Sequence, residues 1–236
     1  MRVVLDTQVW VRGALSKDPD AIGSVILRAA RAGVFDCVGS VALVDEIARI
    51  LEASHVAPKT TRDDAVAALQ LAIALMQLVE IEGIVLGIED PHDNHVLEAA
   101  LVGKTELIVT HDGDFHDKLP AKVRDMLKCA GISVVLDSEF CGQLRAEPLM
   151  INVEVDRIAA LPYLTLTQQN DHDDKWTARF VGLQTRKSKG EIETVDLAGE
   201  GDTPDAAAAN LYDAWLTWIR EQLENGVRIF PPKVHV

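Results

Sequence analysis

The sequence has few cysteines, few cationic side chains and no long apolar run, and each shortage excludes a class of protein. Its three cysteines, Cys37, Cys129 and Cys141, are odd in number and lack the paired spacing of a zinc site or a disulfide framework. No apolar stretch approaches the length of a membrane span, and the strand-like RVVLD after Met1 does not resemble an export signal. We therefore expect reduced thiols, no membrane association and a cytoplasmic location.

The charge balance is strongly acidic, with 23 Lys and Arg against 37 Asp and Glu and a formal net charge of −14. Such a surface does not attract phosphate over a wide area, which argues against nucleic-acid binding through a broad basic face. A local basic track beside an acidic metal site is still compatible with this balance. At 236 residues, with 48% hydrophobic residues, the chain suits one large domain or two small ones with a real core.

Short apolar runs alternate with helical patterns through residues 1–137, which predicts an α/β fold with three α/β/α layers around a central parallel sheet. Strands are predicted at Val3–Leu5, Phe35–Val38, Leu107–Val109 and Ile132–Leu136. Helices are predicted after Thr7, over 20–32, from Ser40 to Leu51, over Thr61–Leu78, from Asp93 to Gly103, and over Leu119–Ala130.

After Asp137 the pattern changes, and it predicts a small α+β (βββα) domain. The strands are expected at 163–167, 176–183 and 192–197, followed by a helix capped by Thr203 and stopped by Gly226. Trp215 and Trp218 lie on the apolar stripe of that helix and are interpreted as core or interface residues. The predicted domains are residues 1–140 and 159–236, joined by a junction at 141–158, although Met150–Val155 could instead be another strand.

Carboxylates recur where the predicted strands end. Asp6 follows the first strand, and Asp112 and Asp114 follow the strand at 107–109. Asp90 and Asp93 lie at the start of the helix before that strand. Ligands of open parallel sheets bind at the carboxyl ends of the strands, so these side chains are candidates for one shared site.

Glu46 is a further candidate because it falls at the edge of the apolar stripe of its helix, whereas Asp45 and Glu52 point to solvent. Each carboxylate also has an ordinary structural explanation. Asp6 and Asp90 can be helix caps, Asp93 a favourable anion in a first helical turn, and Glu46 a flanking charge. Both interpretations stay open on these segments alone.

Several carboxylates packed together repel strongly unless a divalent cation neutralises them. Hard oxygen ligands without Cys or paired His favour Mg²⁺, with Mn²⁺ as the alternative. Such an ion meets phosphate oxygens readily, so the pattern predicts metal-assisted phosphodiester hydrolysis. The nearby His92, His95 and His111 lack the spacing of a zinc site and are interpreted as polar neighbours.

Four ordered segments, VVLDTQVWVRGAL, VDEIARIL, DPHDNHVLEAALVGK and ELIVTHDGDF, resemble the PIN-domain family, and particularly VapC-like bacterial toxin nucleases. The resemblance covers roughly residues 1–140. It implies a hydrolase, specifically a metal-dependent endoribonuclease that cleaves single-stranded RNA, and a homo-oligomer. Gln8 stands where the family often has Asn. The residues implied as catalytic and metal-binding are Asp6, Glu46, Asp93 and Asp112, with Asp90 and Asp114 as further candidate ligands and Thr7 and Thr110 as candidates for substrate contact.

The second domain is similar to HicB-type antitoxin domains in the segments YLTLTQQNDHDDKWTARFVGL and GEGDTPDAAAANLYDAWLTWI. This similarity implies an antitoxin-derived or RNA-contacting module fused to a nuclease, with self-inhibition by that module or a separate antitoxin protein as the regulatory partner. The basic tip Arg186, Lys187 and Lys189 could meet phosphate or be a solvated turn.

Two other functions stay open. The chain could be a non-catalytic RNA- or protein-binding regulator that retains a metal pocket, or a PIN-like nuclease that acts on DNA. Metal-dependent RNA cleavage that disappears in Asp6→Asn would distinguish the endoribonuclease from both the non-catalytic regulator and the DNA nuclease.

Overall fold

The computed structural model describes residues 1–53, 60–83, 93–113, 115–161, 165–170, 174–180, 184–186, 192–227 and 229. The chain divides into two units, Met1–Leu144 and Arg145–Val236. None of the helices among the described residues combines the length and the apolar character that crossing a membrane requires.

The first unit alternates strands and helices. Its strands are β1 (Arg2–Leu5), β2 (Asp36–Gly39), β3 (Met76–Leu78), β4 (Leu107–Thr110) and β5 (Ser133–Leu136). Its helices are α1 (Thr7–Leu15), α2 (Ile22–Arg31), α3 (Val41–Glu52), α4 (Arg62–Leu75), α5 (Asp93–Val102), α6 (Phe115–Lys118), α7 (Ala121–Ala130) and α8 (Asp137–Ala146), of which α8 runs past the boundary between the units.

All five strands are parallel, in the order β3-β2-β1-β4-β5. Val4 of the central strand pairs with Val38 on one side and Ile108 on the other, and all three side chains are fully buried. A strand buried on both faces needs apolar residues without alternation, which is the pattern that predicted it. The expected α/β fold is confirmed, and it sets the carboxyl ends of β1 and β4 side by side.

The helix predicted over Thr61–Leu78 is wrong at its end. Its start is as expected, because Thr61 and Asp64 form a capping box, and the bonds from Thr61 hold the pKa of Asp64 below its usual value. However, α4 stops at Leu75, and Met76–Leu78 pairs with β2 as an edge strand. The run AALQLAIALMQLV contains no Gly or Pro and fits both the helical and the strand period, so pairing with β2 decides the conformation.

The second unit contains a small antiparallel sheet and two helices. Its strands are β6 (Thr165–Gln169), β7 (Trp176–Phe180), β8 (Gln184–Arg186), β9 (Ile192–Thr194) and β10 (Ala198–Gly201), and its helices are α9 (Pro148–Ala159) and α10 (Pro204–Glu224). The sheet has the order β10-β7-β6, and β8 pairs separately with β9. Thr203 caps α10 as predicted, by accepting a hydrogen bond from the Ala206 N–H.

Trp215 belongs to the core of this unit, as expected from its place on the apolar stripe. It is fully buried, lies 5.3 Å from the Phe180 ring and stacks on Trp218. The option of a strand at Met150–Val155 is wrong, because these residues lie in α9, which begins with Pro148 at a position where helices accept proline. The stretch expected as a junction, 141–158, is therefore largely helical.

The third strand of this sheet is also different from the prediction. Ile192–Thr194 pairs with β8, and the strand beside β7 is Ala198–Gly201. The sequence AGEG has no strand-like pattern, but its glycines explain the position. A Cβ at Gly199 would overlap the backbone N of Leu211 and the carbonyl O of Ala207, so only glycine lets β10 lie this close to α10.

We predict that Gly199→Ala destabilises the second unit by about 3 kcal/mol, because the added methyl overlaps helix backbone that cannot move aside. Urea unfolding followed by tryptophan fluorescence measures this change, since Trp176, Trp215 and Trp218 lie in this unit. Gly142→Ala is the control, because its Cβ would meet nothing within 4 Å in a helix. An equal, small effect of both substitutions would contradict the close packing of β10 on α10.

Candidate functional site

The carboxyl ends of β1 and β4 are joined through one buried hydroxyl. The Asp6 backbone N–H donates to the Val109 carbonyl at 2.9 Å, which continues the pairing of β1 with β4 by one residue. The Thr110 Oγ1 donates to Oδ2 of Asp6 at 2.8 Å, and the Asp112 backbone N–H donates to the same Oγ1 at 3.0 Å. Thr110 therefore fixes both the Asp6 carboxylate and the turn that carries Asp112.

A second set of contacts fixes Glu46. Its side chain is 11% exposed on α3, and its Oε2 accepts a hydrogen bond of 2.6 Å from Thr7 Oγ1. The Nε2 atom of His95 lies 2.8 Å from the same oxygen, and Arg49 Nη2 lies 3.5 Å from Oε1. Glu46 thus faces inward from the edge of the apolar stripe, as predicted, while Asp45 is exposed.

Asp6 and Glu46 are electrostatically coupled. Burial raises the pKa of Asp6, and the negative charge of Glu46 adds to the rise. The Thr110 hydrogen bond and the N–H groups of Thr7 and Gln8 oppose it without cancelling it. An ionised pair in this pocket is therefore costly unless a cation shares it.

Asp6 occupies the N-cap position of α1. Its carboxylate accepts from Thr110 and closes no full capping hydrogen bond, although the N–H groups of Thr7 and Gln8 favour its ionised form. Thr7 is the first residue of α1, and its hydroxyl donates to Glu46. Thr7 and Thr110 are 2% and 1% exposed, and their hydroxyls donate to Glu46 and Asp6. The substrate contact predicted for these two threonines would require groups that are accessible to the substrate.

Asp112 and Asp93 are the remaining predicted ligands within the described residues. Oδ2 of Asp112 lies 2.7 Å from Lys118 Nζ, and both side chains are about half exposed. Asp93 is the first residue of α5 and is half-buried. Across the described ranges, no three His, Cys, Asp or Glu side chains are grouped as a metal-binding cluster. The full ligand set stays a prediction, and Asp90, Asp114 and His92 lie outside the described residues.

The donor chemistry of Asp6 and Glu46 nevertheless fits a hard divalent cation. Mg²⁺ is commonly held by one or two carboxylates and keeps several waters, so two coupled carboxylates suffice as protein anchors. The raised pKa of Asp6 is the electrostatic mark of such a pocket. The residues present therefore suit Mg²⁺ or Mn²⁺ better than a softer metal, because the described cysteines lie elsewhere as free thiols, two of them buried.

Comparison with known families identifies the first unit. Residues 2–114 match the family model for the PIN domain. The first unit contains a PIN domain. PIN domains are typically metal-dependent nucleases, which agrees with coupled carboxylates at the carboxyl ends of the strands. No curated protein and no solved structure matches the chain.

The match confirms the predicted family for this unit, while the VapC-like and HicB-like assignments stay predictions. The central sheet of the PIN domain continues past the matched range to β5. Asp137 follows β5, and its Oδ2 lies 2.8 Å from Nδ1 of His111. Sequence reasoning missed this pair, although Asp137 follows its strand as Asp6 follows β1.

We predict that Asp6→Asn is more stable than the wild-type protein at neutral pH. The folded-state pKa of Asp6 lies above its ordinary value of 3.8, so the stabilisation by its protonated form is complete below 3.8 and is lost as the pH rises through the folded-state pKa. Asn cannot ionise and avoids this loss. Urea unfolding at a series of pH values, without divalent ions, should show a difference that shrinks as the solution is acidified.

Asp45→Asn, one residue from Glu46 but exposed, provides the control and should show no such pH-dependent gain. An Asp6→Asn protein that is less stable than wild type at neutral pH would contradict the account of a strained, buried carboxylate.

Proposed function

We propose that the PIN domain of this chain is a metal-dependent endoribonuclease that cleaves single-stranded RNA. The observation that carries the proposal is the half-buried Asp6 carboxylate at the carboxyl ends of β1 and β4, where Thr110 holds it and where burial and the charge of Glu46 raise its pKa. Structural carboxylates in proteins are usually paired with a cationic side chain or placed in water. Glu46 contacts Arg49 and His95, whereas the groups that act on Asp6 are the Thr110 hydroxyl, two backbone N–H groups and the negative charge of Glu46. A carboxylate in these surroundings fits a cation-dependent site better than a structural one.

Asp6 and Glu46 would hold the ion, with Asp93 and Asp112 as the additional predicted ligands. A bound Mg²⁺ or Mn²⁺ supplies a water of lowered pKa and stabilises negative charge on the phosphate in the transition state. Thr110 favours the ionised form of Asp6 by donating to it. Thr7 holds one oxygen of Glu46 in place, so the Glu46 side chain has less conformational freedom to lose when it binds the ion.

Two cationic side chains border these carboxylates. Arg49 is 60% exposed beside Glu46, and Lys118 is 50% exposed beside Asp112. They provide the local basic track that an acidic protein needs to meet phosphate oxygens without a broad basic face. We assign them to the phosphates that flank the scissile bond.

We extend the proposal to a toxin-antitoxin-type role on the strength of the VapC-like and HicB-like resemblances. In this role, the second unit restrains or positions the nuclease, a separate antitoxin is the alternative regulator, and the active form is a homo-oligomer. The basic tip at 186–190 could contribute phosphate contacts, although Lys187 and Lys189 lie outside the described residues.

We predict that Asp6→Asn and Glu46→Gln each lower the cleavage of single-stranded RNA by about 100-fold or more. Loss of either carboxylate weakens the binding of the ion, which supplies several kcal/mol of transition-state stabilisation. The assay uses the full chain, a labelled RNA strand, and Mg²⁺, Mn²⁺ or a chelator. Asp45→Asn, from the adjacent exposed position of α3, should retain the wild-type rate within about twofold.

The same assay distinguishes the alternatives. RNA cleavage that persists in the chelator would contradict metal dependence. Cleavage of a single-stranded DNA of the same sequence, without RNA cleavage, would favour a DNA nuclease. Binding of RNA without cleavage under every metal condition would favour a regulator that retains the pocket.

A further inference from the structure

A histidine and a buried aspartate follow β4 and β5 at the sheet edge that also carries Asp6, without belonging to the predicted ligand set. Thr110 of β4 pairs with Leu136 of β5, so His111 and Asp137 are the next residue after each of two neighbouring strands. The Nδ1 atom of His111 and Oδ2 of Asp137 are 2.8 Å apart. The pair therefore lies at the same edge of the sheet as Asp6.

The backbone that carries His111 is held on both sides. Thr110 before it donates to Asp6, and the Asp112 N–H after it donates to Thr110. Asp137 then restrains the imidazole ring itself. The Asp137 side chain is only 9% exposed, whereas 41% of the His111 side chain is exposed. A ring restrained at one nitrogen and open to solvent at its surface is suited to contact a ligand.

The aspartate also determines what kind of contact the ring offers. Because a carboxylate only accepts hydrogen bonds, a neutral ring in this contact carries its proton on Nδ1. The other nitrogen, Nε2, is then a hydrogen-bond acceptor. In a nucleic-acid backbone the phosphate oxygens only accept hydrogen bonds, while the ribose 2′-hydroxyl can donate one.

We propose that His111 accepts a hydrogen bond from the ribose 2′-hydroxyl of a strand bound at the acidic pocket, and that Asp137 is its positioning residue. The pair would make the site prefer RNA to DNA. This inference rests on the proposed function and deepens it, because it names the sugar group that the site distinguishes. Asp137 also lies in the first turn of α8, where a carboxylate stabilises a helix, so its structural role must be measured separately.

The first test compares the binding of a single-stranded RNA with that of the same sequence as DNA. Fluorescence anisotropy on the full chain, with Ca²⁺ replacing Mg²⁺ to suppress turnover, should show about fivefold tighter binding of RNA, the effect of one neutral hydrogen bond. His111→Ala should weaken RNA binding about fivefold and leave DNA binding unchanged. Asp137→Ala should act in the same direction, because the ring loses the acceptor that fixes its orientation and its tautomer.

Asp64→Asn is the matched control, because it removes a carboxylate from the start of α4 in the same unit. It should lower stability without changing the preference for RNA. A second measurement needs no nucleic acid. In ¹⁵N spectra of the neutral histidine rings, His111 should be protonated on Nδ1 in the wild type and should populate both tautomers in Asp137→Ala.

The outcomes separate this inference from the proposed function. Equal binding of RNA and DNA by the wild type would overturn the inference and leave the nuclease proposal standing. Binding of neither strand would overturn both. Equal loss of RNA and DNA binding in His111→Ala, or a wild-type His111 protonated on Nε2, would also overturn the inference.

Discussion

The candidate site of the first unit depends on two half-buried carboxylates that the fold keeps away from bulk water. Asp6 directly follows the central strand β1 and Glu46 lies on α3, so neither can move into solvent without disturbing the packing of its element. Burial and the charge of Glu46 raise the pKa of Asp6. The protein thus retains a locally unfavourable arrangement, and such arrangements are concentrated at functional sites.

Two threonines make this arrangement specific. Thr110 binds Asp6 and Thr7 binds Glu46, and each hydroxyl donates to a carboxylate oxygen from a buried position. The sheet sets the position of both threonines, since Thr110 is the last residue of β4 and Thr7 lies two residues after β1. The parallel pairing of β1 with β4 is therefore what aligns hydroxyls and carboxylates. The same edge of the sheet continues to β5, where Asp137 holds the His111 ring.

Much of this unit could be predicted from local sequence, because the strands are continuous apolar runs and Asp6 follows one of them directly. Glu46 could be identified by its angle on a helix. Other features depend on contacts between distant segments. These are the pairing of Met76–Leu78 with β2, the contact of α10 with Gly199, and the contact of His111 with Asp137. No local pattern shows which distant segments meet, so sequence alone did not reveal these contacts.

The central claim is that Asp6 and Glu46 together anchor a hard divalent cation. Electron paramagnetic resonance of Mn²⁺ titrated into the full chain measures this directly, because bound and free Mn²⁺ give different signals. We predict that the wild-type protein binds Mn²⁺ and that Asp6→Asn and Glu46→Gln each weaken binding about tenfold or more, while Asp45→Asn does not. Binding that is unchanged in both site variants, or absent from the wild type, would contradict the account.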